Sequence, residues 1–130
     1  MDSFFDAEQL AFRDQLTRWV DERLMPRAEI LDKSGEFARD LFEELGALGY
    51  FGILYPEKYG GTDIKHPYLH YTILCEELAR ASMGFAATVC MHASTATNTI
   101  FKWGNENLRQ TYLIPGIAGK KIGAFAITEP

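Results

Sequence analysis

The sequence carries no GxSxG elbow, no P-loop and no GxGxxG fingerprint. Without a strand–glycine-loop–helix unit, nothing in it cradles a dinucleotide in the way open parallel sheets do. No self-contained catalytic constellation assembles either, so the chain by itself is not expected to be an enzyme. Basic charge is also scarce: 13 Lys and Arg against 18 Asp and Glu leave a net charge of −5. The nearest thing to a basic cluster is Lys120-Lys121, which reads as a solvated turn flank. With no stripe of cations to displace phosphate counterions, a nucleic-acid partner is disfavoured. Only two cysteines occur, Cys75 and Cys90, with neither CxxC spacing nor a secretory context, so reduced, buried thiols are expected. The opening "MDSFFDAEQL" lacks both the basic-apolar signal pattern and the Arg-rich transit pattern. That points to a bacterial-type cytoplasm, or to a mitochondrial matrix if a transit peptide has been removed.

Metal chemistry is equally thin. His66 and His70 are four apart, but Pro67 puts His66 outside the regular helix and no third ligand is near, so no metal is expected. The pairs Glu43-Glu44 and Glu76-Glu77 lack the Glu-x-x-His partner that di-iron bundles need, and they read as solvated faces.

What is present is apolar residues at helical spacing. They make up 47% of 130 residues, enough for one small domain with a single core and too many for disorder. Ser3 followed three residues later by Asp6, with Phe4 and Phe5 between, reads as a helix start. Phe12, Leu16, Trp19, Val20 and Leu24 then form one stripe, expected to end before Pro26. "GEFARDLFEELGALGY" gives a second helix with Phe37, Leu41, Leu45 and Leu48 on one face. A loop rich in turn residues follows, then a helix in "PYLHYTILCEELARA" with Tyr68, Tyr71, Cys75, Leu78 and Ala79 expected inside. A shorter helix in "NENLRQTYLIP" is expected to be capped by Asn105 and to stop before Pro115. The fold class is therefore all-α, a bundle of five to six helices.

From Ala81 to Phe101 there is no Asp, Glu, Lys or Arg. A stretch of that length raises the question of a membrane span. Ser82, Thr88, Ser94, Thr95, Thr97, Asn98 and Thr99 are too many polar groups for a lipid-facing helix, so burial in protein is the remaining option, with no membrane insertion. Val89, Ala93, Ala96 and Ile100 follow at packing spacing. Thr88, Met91, His92 and Thr95 make a second face, small, soft and weakly polar. Spacing alone leaves two readings of it: a close helix–helix contact through small residues, or a wall beside a bound ligand. His92 alone fits a satisfied interior histidine better than a catalyst.

The chain closes on "GKKIGAFAITEP". Ile122 to Thr128 reads as a buried strand and Glu129-Pro130 as a turn opening. A strand at this position needs a neighbour to pair its amides, so the sequence is expected to be part of something longer or to lie along another chain.

The "GAFAITEP" segment resembles the opening of the middle β-domain of flavin-dependent acyl-CoA dehydrogenases. "ELGALGYFGILYPEKYGG", "EELARAS" and "FKWGNENLRQTYLIPGIAGKKIG" resemble the same family in order and with compatible spacing. The resemblance covers nearly the whole chain and departs from the family at "GGTDIKHP", where another glycine often follows the pair. It implies an N-terminal helical domain over residues 1–120 and the start of a β-domain over 121–130. It implies FAD as cofactor, contacted by Phe125, Ala126, Ile127 and Thr128, and an acyl-CoA substrate whose pocket is lined by Thr88, Met91, His92 and Thr95, with Met91 and His92 narrowing it toward a short or medium acyl group. The implied reaction is α,β-dehydrogenation: a carboxylate outside this stretch takes the α-proton, and the β-hydrogen leaves as hydride to the flavin. Electron-transfer flavoprotein as acceptor and a homotetramer are implied as well. The competing expectations are a helical binding or scaffolding module whose terminal strand augments a partner's sheet, or an acyl-CoA oxidase or flavin monooxygenase on the same fold.

Overall fold

The structure is a computed structural model and describes residues 4–128; Ser3 and the Glu129-Pro130 turn lie outside the described residues. Five helices form within it. Helix α1 covers residues 7–34 as Ala7–Trp19, a π-helical turn Val20–Leu24, and Met25–Ser34. Asp6 starts it with a reciprocal cap: its carboxylate accepts from the Gln9 N–H at 2.9 Å, and the Gln9 side chain accepts from the Asp6 N–H at 3.1 Å. Gly35 ends it in the left-handed region, at φ 67°.

Pro26 does not stop this helix, contrary to the sequence expectation. Inside a regular helix a proline lacks its N–H and presses on the carbonyl four residues back. Here the preceding turn is widened, and the Met25 N–H donates to the Val20 carbonyl five residues back. Pro115 repeats the pattern. Helix α5 runs over 106–117 as Glu106–Leu108, a π turn Arg109–Leu113, and Ile114–Ile117, with the Ile114 N–H donating to the Arg109 carbonyl. In each case the proline stands two residues past the wide turn, and the helix continues. Asn105 caps α5, its side chain accepting from the Leu108 N–H at 2.9 Å.

Helix α2 is Arg39–Ala47 and α3 is Pro67–Ala81. Helix α4 is the uncharged rod, residues 83–103, as Met83–Cys90, a π turn Met91–Ala96, and Thr97–Trp103. The core lies between α1, α2, α3 and α4: Leu16, Val20, Leu24, Leu41, Phe42, Leu45, Ile73, Leu74, Leu78 and Val89 have no exposed surface. Each contributes about 1.5–3 kcal/mol by leaving water. A second cluster, Tyr55, Tyr59, Leu113 and Ile117, fastens the 50–60 loop to α5 and the end of α4.

The inner faces differ in detail from the sequence reading. On α2 the buried stripe is Leu41, Phe42 and Leu45, while Phe37 and Leu48 are exposed. On α3 it is His70, Ile73, Leu74, Glu77 and Leu78, and Tyr68 faces out. Glu77 is not a solvated residue: it is buried and paired with Arg80 at 3.1 Å and Arg13 at 3.7 Å. None of the described helices is long and apolar enough to cross a membrane.

Candidate functional site

Hydroxyls of helix α4 bond back along its own backbone. Thr88 donates to the Gly84 carbonyl at 3.0 Å, Ser94 to Cys90 at 2.7 Å and Thr99 to Thr95 at 2.8 Å. Hydroxyls that bond back along the helix leave its surface weakly polar. Val89, Ala93 and Ala96 pack inward. Thr88 and Thr95 are half-buried and Met91 is 43% exposed, so this side of α4 is not jammed against a neighbouring helix. Thr88 also borders an open cleft of about 390 Å³ between the end of α1 and the start of α4, together with Phe37, Ser82 and Phe85.

His92 departs from that face. Its ring is wholly buried, edge-on to Phe42 and Phe51 with centroids 4.8 and 4.9 Å away. Helical spacing places it at the border between the Thr88, Met91 and Thr95 side and the buried side of Val89, Ala93, Ala96 and Thr97, and the aromatic rings of Phe42 and Phe51 draw it into the buried side. The Thr97 N–H and hydroxyl both reach the His92 carbonyl, the hydroxyl at 2.7 Å, and the Tyr55 hydroxyl donates to the Ala93 carbonyl at 2.7 Å. His92 therefore belongs with the core and not with the Thr88, Met91 and Thr95 face.

Both ring nitrogens of His92 are used. Nε2 donates to the Gly116 carbonyl at 3.0 Å, and Nδ1 accepts from the Gly123 N–H at 2.9 Å. One donor and one acceptor define the neutral imidazole. Gly123 is required by the close approach, because a Cβ there would lie 2.7 Å from the Ala96 Cβ. His92 therefore fastens the segment after α5 to the uncharged helix.

Burial lowers the His92 pKa below its ordinary 6.5, opposed in part by the Gly116 carbonyl. The unfolded chain takes the proton first, so this contribution is complete above pH 6.5 and is lost as the pH falls through the folded value. Protonating Nδ1 would also set two N–H groups against each other at Gly123. The unfolding midpoint should therefore drop on acidification from about pH 7.5 to about 5.5, and His92→Gln should flatten that response. The carboxylates held below their ordinary 4.5, such as Glu44 beside Arg23, act at lower pH. Equal slopes in the two proteins would contradict the assignment.

Beyond Gly123 the chain differs from the buried strand expected. Among the described residues, 124–128 make no ladder, and Phe125 and Ile127 are 46% and 70% exposed. A strand is a property of pairing, and no described segment runs alongside to pair it. The N–H and C=O groups of Ala124 to Thr128 have no partner among the described residues. The structure thus brings an uncharged run of free backbone groups, held by His92, to the same helix that carries Thr88, Met91 and Thr95.

Fold and geometry define an all-α domain with one half-open, weakly polar helix face and an unpaired extended tail pinned to that helix. A family model described as the N-terminal domain of acyl-CoA dehydrogenase matches residues 6–120, and the chain belongs to that family. It is 37% identical over 130 residues to benzylmalonyl-CoA dehydrogenase of Aromatoleum aromaticum, covering 100% of this chain and 34% of that protein. An acyl-CoA dehydrogenase of Bacillus anthracis, solved in complex with FAD, superposes with a TM-score of 0.87 at 30% identity, over 97% of this chain and 21% of that one. A glutaryl-coenzyme A dehydrogenase in complex with glutaryl-CoA superposes with a TM-score of 0.92 at 28% identity, over 97% of this chain and 32% of that one. The chain spans about a third of the length of the curated relatives it matches.

Proposed function

We propose that this domain forms part of a flavin-dependent dehydrogenase that introduces an α,β double bond into an acyl-CoA thioester. Thr88, Met91 and Thr95 wall the acyl chain, and the backbone of Phe125–Thr128 with the Thr128 hydroxyl borders the flavin. The observation that carries the reading is the pinning of a hydrogen-bond-competent segment, Ala124–Thr128, to the helix that keeps a half-open Thr/Met face.

The residues fit FAD in their chemistry. An isoalloxazine edge presents alternating acceptors and one N–H, and a segment of free amides and carbonyls without charge answers it. When bound, FAD supplies the two-electron acceptor for the abstracted hydrogen. This chain's residues contribute orientation and exclusion of water. The Thr88 hydroxyl, bonded back to the Gly84 carbonyl, leaves its methyl toward an acyl chain, and the Met91 thioether adapts to its shape. His92 stays out of the pocket wall and serves by holding Gly123. On this reading residues 1–120 are the helical domain and 121–130 open the next one, with the α-proton base outside the stretch. Electron-transfer flavoprotein as acceptor, a homotetramer and a bacterial cytoplasmic or mitochondrial matrix setting follow from family membership as parts of the same proposal.

The full-length protein tests this directly. It should purify yellow with a flavin spectrum, and anaerobic addition of an acyl-CoA should bleach the flavin band. A colourless protein would favour the scaffolding module. A flavin reduced only by a nicotinamide donor would favour a monooxygenase.

A further inference from the structure

Cys75 on α3 and Cys90 on α4 are 15 residues apart in sequence, yet their Sγ atoms stand 3.1 Å from each other, and each residue is half-buried. The sequence suggests two unrelated buried thiols; the packing of α3 on α4 makes them a pair. The turn that carries Cys90 is held from two sides. The Tyr71 hydroxyl donates to the Cys90 carbonyl at 3.2 Å, and the Ser94 hydroxyl donates to the same carbonyl at 2.7 Å. A disulfide needs its sulfurs at about 2.05 Å, so roughly 1 Å of approach separates contact from bond.

We propose that Cys75 and Cys90 form a peroxide-responsive dithiol that closes reversibly into a disulfide between α3 and α4. Cys90 is the attacking group. The thiol of Cys75 donates to its sulfur and the Tyr71 side chain assists, which favours the Cys90 thiolate, while Cys75 is pushed the opposite way. The Cys90 thiolate attacks one oxygen of hydrogen peroxide: an S–O bond forms, the O–O bond breaks, and the departing hydroxide takes a proton to become water. Cys75 then attacks the Cys90 sulfenic acid. The S–S bond forms, the S–O bond breaks, and the hydroxide leaves with the Cys75 proton as a second water. Two thiols lose two electrons in all, and one peroxide is reduced to two waters. Met91 follows Cys90 directly, so the crosslink would fix α4 to α3 beside its half-open face.

Arg80 lies between the two cysteines, so trypsin separates them into peptides 66–80 and 81–102. The full-length protein is treated with equimolar hydrogen peroxide, alkylated, and digested without reductant. The expected result is an intact-mass loss of about 2 Da, the two peptides recovered as one linked species, and separation again after dithiothreitol. Cys75→Ser should stop at a Cys90 sulfenic acid that dimedone captures, and Cys90→Ser should form no link. Both thiols recovered for alkylation after peroxide would overturn the proposal. So would sulfinic acid without linked peptides, or links only between different chains. The wild-type result stands even if a variant misfolds.

Discussion

Alanine at position 46 should destabilise the protein by about 2–3 kcal/mol, read as a lower urea midpoint at unchanged slope. The direction runs against helix propensity, since replacing an interior helical glycine with alanine ordinarily gains up to about 1 kcal/mol. What reverses it is the turn after α5. A Cβ on Gly46 would lie 2.5 Å from the Gly119 Cα, 2.6 Å from its nitrogen and 2.8 Å from the Ala118 carbonyl carbon. These are backbone atoms, so no rotamer change relieves the clash. The turn itself is tied down: Gly119 donates to the Gly116 carbonyl at 2.9 Å, and Lys120 donates to Pro115 at 2.9 Å. Displacing it disturbs Gly116 and Gly123, the two partners of His92, so the variant should also retain flavin less well in the full-length enzyme. Gly84 is the control: a Cβ there would meet nothing within 4 Å, and Gly84→Ala should be neutral or slightly stabilising. Equal stability of Gly46→Ala and wild type would mean that α2 and the turn do not approach this closely.

Much of this architecture is legible from local signals. The Asn105 cap, the α1 stripe through Leu16, Val20 and Leu24, and the packing face Val89, Ala93, Ala96 all follow from short-range rules and are found in place, while α1 starts three residues later than the Ser3 signal, with Asp6 as its cap. What escapes is whatever depends on a helix changing its own period. Pro26 and Pro115 look like ends because a proline breaks a 3.6-residue helix, and the sequence does not announce the wide turns that accommodate it. His92 is a separate case: it stands at the border of the Thr88, Met91 and Thr95 face, and the Phe42 and Phe51 rings contributed by other segments decide its side. A further loss comes from long-range pairing. Glu77 reads as surface because its partner Arg13 is on a different helix, and Cys75 and Cys90 read as unrelated for the same reason. On α3, Tyr68, Tyr71 and Cys75 compete with Ile73, Leu74 and Leu78 as an apolar stripe, and composition cannot choose between them; the contact with α1 does.

Thr95→Phe in the full-length enzyme should cut activity on acyl groups long enough to reach α4, with kcat/KM falling on the order of a hundredfold, while shorter acyl groups change little. Thr95 is half-buried on the accessible side of α4, one wide turn beyond Met91, and its carbonyl already accepts from Thr99 at 2.8 Å. Its side chain carries no packing role in the core, so phenylalanine there should cost little stability and should project its ring from the face instead of into the fold. The ring replaces a small group with a rigid plane, and a chain that needs the same space must shorten or distort. His92→Ala is the contrasting variant. It should lower stability by leaving the Gly123 N–H and the Gly116 carbonyl without their partner, and leave the ranking of acyl lengths unchanged. A Thr95→Phe enzyme with wild-type chain-length preference would remove this face of α4 from the acyl pocket, and a His92→Ala enzyme with an altered preference would return His92 to it.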